Sequence, residues 1–215
     1  MPHNNRKGTP LPRIFMISSG EEQGEGRGEL IEHLTLLPSH IPCIVQIREK
    51  HLHTKHLLTL AQRARGIRLP EGSLLLCNER ADVALAAGLD GVHLPENAVP
   101  PDKLRAFAPD LIFGCSIHSP EALRIAEQAG ADYLLFGPVF DTPSKRKYGP
   151  PQGLKKLGEL CRASSLPIYA LGGVTPQNAA LCMDEGAYGT AGLSIFRDTS
   201  RMRETLEQLY SILNR

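Results

Sequence analysis

The segment Ala129-Gly130-Ala131-Asp132-Tyr133 contains the end of a helical pattern, a glycine turn and the start of an apolar strand. The same order of features recurs at Ala87–Gly91 and at Glu185–Gly189. A helix, a turn and a buried strand in repeated order are typical of β/α units whose strands pair in parallel. The three copies therefore predict a chain built from one repeated unit.

Outward from these copies, short apolar β-rich runs alternate with helical patterns along nearly the whole chain. The predicted strands are Ile14–Ser18, Cys43–Arg48, Ser73–Asn78, Gly91–Leu94, Leu111–Ser116, Tyr133–Val139, Ile168–Gly173 and Tyr188–Ile195. Near-continuous apolar strands between helices predict a parallel sheet covered by helices, and this number of units predicts closure into a (β/α)8 TIM barrel. An open doubly wound sheet is the alternative, although no GxGxxG fingerprint follows the first strand.

Length and composition fit one domain and exclude several classes of protein. The chain has 215 residues, and we expect a flexible polar tail over residues 1–12 and a barrel domain over residues 13–215. A net charge of +1 argues against nucleic-acid binding. No apolar stretch approaches the roughly 20 residues that cross a bilayer. Five scattered cysteines without a CxxC pair predict free thiols in a cytoplasmic protein.

Signals for helix ends agree with this division of the chain. Ser119-Pro120-Glu121 and Thr175-Pro176-Gln177 each predict a helix start, with a capping residue followed by proline. Gly130 and Gly186 follow helical stripes and predict C-terminal caps.

Polar side chains at the carboxyl end of the second strand point to an anion site. Gln46, Arg48 and Lys50 are two residues apart, so they share one face of the strand. Two cations and an amide at the barrel mouth are suited to clamp an anion. Simple hydration of these charges is the alternative.

The fifth strand offers a candidate for proton transfer. It ends with Ser116-Ile117-His118, so Ser116 and His118 share a face. Histidine is the side chain best suited to exchange a proton near neutral pH, and we take His118 as the candidate. We expect His93 to be a structural, hydrogen-bonded residue.

Glycines after the last two strands predict a phosphate site. Gly172 and Gly173 follow the seventh strand and Gly192 lies in the eighth, where backbone N–H groups can approach an anion. Tight turns without a ligand are the alternative. The loops Ser18–Gly28 and Asp141–Gly153 belong to the same face in a barrel, and the second has the composition of a lid.

Together these residues resemble the superfamily of thiamine-phosphate synthase and the thiazole tautomerase TenI, over about residues 12 to 212. The motifs are Gln46–Lys50, Asn78, Asp90–Leu94, Gly114–His118, Gly130–Phe140, Thr142 with Lys145, and Leu171–Thr175. The resemblance implies a (β/α)8 barrel that acts in thiamine biosynthesis on a small phosphorylated thiazole.

The synthase reading implies that a pyrimidine pyrophosphate and Mg²⁺ bind at the mouth. Its pyrophosphate and substrate contacts would be Gln46, Arg48, Lys50, Asn78, Thr142 and Lys145. Glu79 falls where the family has one metal-binding carboxylate, and Ala98 falls where it has the other. Glu96, in a nearby turn, is a candidate substitute for the missing ligand.

The tautomerase reading implies an isomerisation that needs no cofactor. His118 with Ser116 would move the proton, while Gly172, Gly173, Gly192, Leu193 and Ser194 hold the phosphate. Because one Mg²⁺ ligand is missing, the sequence favours the tautomerase, with the Mg²⁺-dependent synthase as the alternative and a non-catalytic ligand-binding or regulatory paralogue as the third reading. The oligomeric state stays open, a homo-oligomer included.

Overall fold

The computed structural model describes residues 8, 10–22, 29–142 and 149–214. Eight parallel strands pair in sequence order, and β8 closes onto β1. The strands are β1 (Ile14–Ile17), β2 (Cys43–Ile47), β3 (Leu74–Asn78), β4 (Gly91–Leu94), β5 (Ile112–Ile117), β6 (Tyr133–Phe136), β7 (Ile168–Leu171) and β8 (Gly189–Gly192). The helices are α1 (Glu29–Thr35), α2 (Thr54–Arg65), α3 (Ala81–Ala86), α4 (Pro101–Arg105), α5 (Pro120–Gln128), α6 (Gly153–Ala163), α7 (Ala179–Asp184) and α8 (Thr199–Leu213). The predicted (β/α)8 barrel is confirmed.

Buried side chains form two layers, one inside the barrel and one between the strands and the helices. The outer layer combines strand residues such as Val45 with helix residues such as Leu60. The inner layer contains alternate strand residues, including Phe15, Ile44 and Tyr169. Successive strand side chains point to opposite faces, so this alternation defines which residues enter the barrel.

Aromatic rings fill the barrel interior. Phe15 contacts His93, Tyr133 and Tyr169 edge to face, with ring centroids 5.7 to 5.9 Å apart. Gly114 leaves the space for one of these rings, because a Cβ there would lie 1.9 Å from Cζ of Tyr133. The interior is therefore packed, and ligands have access only at its ends.

The predicted strands that differ most from the structure are those corresponding to β6 and β8, which are too long by three and four residues. After β6 the chain leaves the sheet at the cis peptide bond between Gly137 and Pro138. After β8 it turns into a short 3-10 helix, Ser194–Phe196. Both exits lie at the carboxyl ends of strands, where the chain turns to form the barrel mouth.

The helix signals are confirmed in part. The Ser119 side chain accepts a hydrogen bond from the Ala122 N–H and caps α5, and Gly130 and Gly186 adopt positive φ after their helices. The helix start predicted at Thr175 is wrong. The Asn178 side chain accepts from the Thr175 N–H (2.8 Å), which holds residues 175–178 in a turn before α7.

All five cysteines are free, and burial raises the pKa of each of them to about 11 or 12. No helix in the described ranges is long and apolar enough to cross a membrane. Of the predicted tail, residues 1–7 and 9 lie outside the described residues, as do residues 23–28 and 143–148 of the two predicted loops.

Candidate active site

The strand alternation brings polar side chains from neighbouring strands together at the barrel mouth. Ile44 lies inside the barrel, so Gln46 and Arg48 continue on the inner face of β2. Leu76 lies inside as well, which places Asn78 next to them on β3. Ile47 packs in the outer layer, so Glu49 points away from the mouth, as the sequence predicts.

Gln46 and Asn78 form a buried amide pair. Gln46 is 1% exposed, and its Nε2 donates to Oδ1 of Asn78 over 2.9 Å. Asn78 Nδ2 in turn donates to Oε2 of Glu79 over 2.7 Å. Oε1 of Gln46 has no hydrogen-bond donor among the described residues. A buried acceptor without a donor costs about 1–3 kcal/mol, so this oxygen is suited to a donor group of a ligand.

The cations of β2 differ in their partners. Lys50 Nζ lies 3.2 Å from Oε2 of Glu79 in an exposed ion pair. The Arg48 guanidinium has no side-chain hydrogen bond or ion pair within the part of the chain that is described. Its charge contributes to the lowered pKa of His93, so it lies near the inner wall of the barrel. Arg48 is therefore available to bind an anion.

A buried carboxylate that the sequence did not identify holds the first loop against β2. Glu49 is 3% exposed and accepts from the Ser18 hydroxyl and from the N–H groups of Gly20 and Glu22, both at 3.1 Å. Ser18 Oγ also accepts from the Arg48 N–H over 2.8 Å. These bonds fix the backbone of Arg48 beside the start of the β1–α1 loop. The only sequence signal is the outward position of Glu49 on its strand.

His93 is hydrogen-bonded on both ring nitrogens, as expected for a structural residue. Nδ1 lies 3.0 Å from the Tyr133 hydroxyl oxygen, and Nε2 lies 2.9 Å from Oγ of Ser116. Burial lowers the pKa of His93 to about 3, and Arg48 adds to the effect. His93 is therefore neutral near pH 7 and unsuited to general acid catalysis there.

His118 and Glu96 form a second pair at the rim of the mouth. Nδ1 of His118 lies 2.6 Å from Oε2 of Glu96, and both side chains are partly exposed. A carboxylate on one ring nitrogen orients an imidazole and leaves the other nitrogen for proton exchange.

The described residues do not form a ready site for Mg²⁺. They contain no group of three or more His, Cys, Asp or Glu side chains that converge as metal ligands. Glu79 is paired with Lys50 and Glu96 with His118. Mg²⁺ prefers near-ideal octahedral oxygen ligands and is often held chiefly by water and substrate phosphates. These residues therefore suit a metal that arrives on a pyrophosphate better than a resident ion.

The glycine turn after β7 is shaped by the neighbouring loop. Gly172 and Gly173 have φ of 92° and 67°. A Cβ on Gly172 would lie 2.5 Å from Cβ of Pro138, and one on Gly173 would lie 2.7 Å from the backbone oxygen of Asp141. The Phe140 N–H donates to the Gly172 oxygen over 2.9 Å. The turn thus requires glycine for steric reasons, and the same absence of side chains leaves its backbone open to an anion.

The remaining predicted contacts lie around this turn. Leu193 and Ser194 are at the start of the 3-10 helix, and Gly192 is closely approached by Ile195. Thr142 is half-buried at the end of the described part of the β6–α6 loop. Lys145 lies outside the described residues.

Comparisons with known proteins agree on one family. A family model described as thiamine monophosphate synthase matches residues 15–196. The chain is 40% identical over 186 residues to the putative thiamine-phosphate synthase 2 of Aquifex aeolicus, covering 86% of this chain and 98% of that protein. It is 41% identical over 152 residues to the thiamine-phosphate synthase of Methanoculleus marisnigri, covering 70% and 72%. The solved thiamine phosphate pyrophosphorylase of Pyrococcus furiosus superposes with a TM-score of 0.77 at 27% identity, covering 94% of this chain and 95% of that structure.

Proposed function

This chain belongs to the thiamine monophosphate synthase family, and we propose that it joins hydroxymethylpyrimidine pyrophosphate to thiazole ethyl phosphate and releases pyrophosphate. Thiamine biosynthesis follows from the family. Sequence reasoning alone ranks the tautomerase first, whereas the names of the relatives favour the synthase.

One observation carries the proposal: the barrel mouth offers two separate places for an anion. The cationic half consists of Arg48 and Lys50 with the amides of Gln46 and Asn78, on β2 and β3. The glycine half follows β7 and β8, at Gly172, Gly173 and Gly192. A condensation of two phosphorylated substrates uses both halves. An isomerisation of one thiazole phosphate uses only the glycine half.

The cationic half suits the pyrimidine pyrophosphate. The Arg48 guanidinium, which has no side-chain partner among the described residues, would bind pyrophosphate oxygens as a planar fork, with Lys50 as a second charge. Oε1 of Gln46, a buried acceptor, would receive a hydrogen bond from the pyrimidine amino group. Thr142 and Lys145 would reach the same substrate from the β6–α6 loop.

In this arrangement the chain's contribution is positioning and charge stabilisation. The bond between the pyrimidine methylene carbon and the pyrophosphate oxygen breaks, and the thiazole nitrogen bonds to that carbon. Arg48 and Lys50 would stabilise the negative charge that grows on the departing pyrophosphate. Gly172, Gly173, Leu193 and Ser194 would hold the thiazole phosphate so that its ring nitrogen faces the methylene carbon. Mg²⁺ bound to the pyrophosphate would supply further neutralisation.

The His118–Glu96 pair favours a second candidate, the thiazole tautomerase. A histidine oriented by a carboxylate can remove a proton from the carboxythiazoline phosphate and return it at another atom. Product aromaticity drives that reaction, so one positioned proton carrier suffices, with Ser116 two residues before His118 near the end of β5.

Purified protein incubated with both thiamine precursors and Mg²⁺ tests the proposal. We expect thiamine phosphate and pyrophosphate in equal amounts, with the rate of formation of both strongly reduced in Arg48→Ala and retained in His118→Ala. In parallel, the carboxythiazoline phosphate is incubated without Mg²⁺. Aromatisation that His118→Ala abolishes, without any condensation at saturating metal, would replace the synthase by the tautomerase. Tight binding of thiazole phosphate with neither reaction would leave the non-catalytic reading.

A further inference from the structure

A chain of three hydrogen-bonded side chains runs from the barrel interior to its mouth. Tyr133 on β6 contacts His93 on β4, and His93 contacts Ser116 on β5, over 3.0 and 2.9 Å. Tyr133 and His93 are buried, and Ser116 is half-buried at the end of its strand. We propose that Tyr133 and His93 are positioning residues that hold the Ser116 hydroxyl as a hydrogen-bond donor toward an acceptor atom of the bound ligand.

The donor and acceptor roles in these hydrogen bonds follow from the hydroxyl of Tyr133. This group is fully buried, and burial raises its pKa, so it keeps its proton. Its one hydrogen-bond partner in the described part of the chain is Nδ1 of His93. If Nδ1 carried a hydrogen and donated to Tyr133, the phenolic hydrogen would be buried without an acceptor, which is unfavourable. The Tyr133 hydroxyl therefore donates to Nδ1.

A neutral imidazole that accepts at one nitrogen donates at the other. The low pKa of His93, about 3, keeps the ring neutral near pH 7. With Nδ1 accepting, Nε2 carries the hydrogen and donates to Oγ of Ser116. The Ser116 hydroxyl hydrogen is then not used by His93. It is free to point into the mouth.

The packing around Tyr133 and His93 leaves their rings little freedom to rotate and exchange the donor and acceptor roles. The Tyr133 ring occupies the room above Gly114, where even a Cβ would lie 2.3 Å from its hydroxyl oxygen. The ring of His93 stacks on Tyr133 with centroids 5.7 Å apart and contacts Phe15 at right angles. Packing thus fixes both rings, and the tautomer of His93 is set by Tyr133 rather than by solvent.

The ligand atom that Ser116 meets must be an acceptor. Arg48 lies close enough to affect the pKa of His93, so an anion bound by Arg48 would lie near Ser116. Inorganic pyrophosphate is therefore the probe of choice, and this choice rests on the proposed function. The tautomer itself is a property of the ligand-free protein and does not depend on that function.

Nitrogen-15 NMR of the histidine side chains tests the direction of the chain. With His93 assigned through its backbone, long-range ¹H–¹⁵N correlations should show the Nε2–H tautomer, unchanged between pH 8 and pH 5. An Nδ1–H tautomer, or a mixture of the two, would overturn the proposal. Since this measurement uses the unmutated protein, it does not depend on whether a variant folds.

Pyrophosphate affinity, measured by calorimetry, tests the connection to the ligand. Ser116→Ala should weaken binding about tenfold, the size of a hydrogen bond to a charged group. Tyr133→Phe should lower the pyrophosphate affinity when Ser116 is present. In the Ser116→Ala background it should lower the affinity no further. An equal loss in both backgrounds would mean that Tyr133 acts through general packing, and the positioning role would be rejected.

Tyr169→Phe is the matched control. Tyr169 is another fully buried tyrosine of the barrel interior. Its hydroxyl donates to the Pro12 backbone oxygen, so it takes no part in the hydrogen bonds among Tyr133, His93 and Ser116. We expect it to lower the unfolding temperature in the way Tyr133→Phe does, with pyrophosphate affinity and the tautomer of His93 unchanged. A tenfold loss of affinity in this control as well would remove the special role of Tyr133.

Discussion

Replacing Arg48 with alanine should remove the strongest contact to the pyrophosphate. In the described residues the guanidinium has no competing ion pair, so its whole donor set is available to the substrate. A hydrogen bond to a charged group contributes about 1.5–3 kcal/mol. At about 1.4 kcal/mol per factor of ten, kcat/KM for the pyrimidine pyrophosphate should fall roughly 10- to 150-fold.

The assay is steady-state release of pyrophosphate at fixed, saturating thiazole phosphate. KM for the thiazole phosphate should change little, because that substrate is assigned to the opposite half of the mouth. Added salt should lower kcat/KM for the pyrimidine pyrophosphate more in the unmutated enzyme than in Arg48→Ala, since the contact that the variant lacks is electrostatic.

Arg80→Ala is the matched control for this experiment. It removes the same charge at the same end of the barrel, but Arg80 already binds Asp82 through two hydrogen bonds and also donates to Thr54. We expect kcat/KM within about twofold of the unmutated value, given the small effect of exposed ion pairs. If Arg48→Ala behaved like this control, the assignment of Arg48 to the pyrophosphate would be refuted.

Three further predictions concern the fold around the site. Gly173→Ala should destabilise the protein by about 2–5 kcal/mol, because alanine would be strained in the left-handed conformation and would clash with the Asp141 backbone oxygen. Gly88→Ala, with φ +65° and open space around the position, should cost only about 1–2 kcal/mol. Urea unfolding compares the two variants. The pKa of His93 is lowered from 6.5 to about 3 in the folded state, so between these pH values the unfolded state binds a proton that the folded state does not. The free energy of unfolding therefore falls as the pH falls, by up to about 1.4 kcal/mol per pH unit. His93→Gln should lack this contribution to the pH dependence of stability between pH 7 and pH 5. The thiols of Cys43, Cys77, Cys115 and Cys182 should react with Ellman's reagent at pH 8 only after denaturation, and fast labelling of these four in the native protein would contradict their burial.

The barrel itself could be predicted from the sequence because its signal is local. Each β/α unit combines an apolar strand and a helical stripe, turn glycines such as Gly130 mark several of the junctions, and every predicted strand has a counterpart in the structure. Strand ends were less predictable. After β6 the chain is still apolar, but it leaves the sheet where Pro138 and Phe140 pack on Gly172 and Gly173. After β8 it turns into the 3-10 helix, where Ile195 packs on Gly192.

The sequence was enough to predict which residues lie at the site, but not which of their side chains contact each other. Alternation on β2 was enough to place Gln46 and Arg48 on one face. The contact between Glu96 and His118 depends on the register of β4 against β5, where Leu94 pairs with Cys115, and a single sequence does not contain that register. The bonds from Glu49 to the first loop were missed for the same reason. They cross from β2 to residues after β1, and a buried charge has no hydrophobic signature.

The most direct test of the two-site mouth is a ternary binding measurement. Protein saturated with pyrophosphate and Mg²⁺ is titrated with thiazole ethyl phosphate in a calorimeter, and the titration is repeated without pyrophosphate. We expect one thiazole phosphate to bind per chain in both titrations, since the cationic half and the glycine half are assigned to different ligands. Competition between the two ligands for a single place would refute the two-site assignment and remove the main argument for a condensing enzyme.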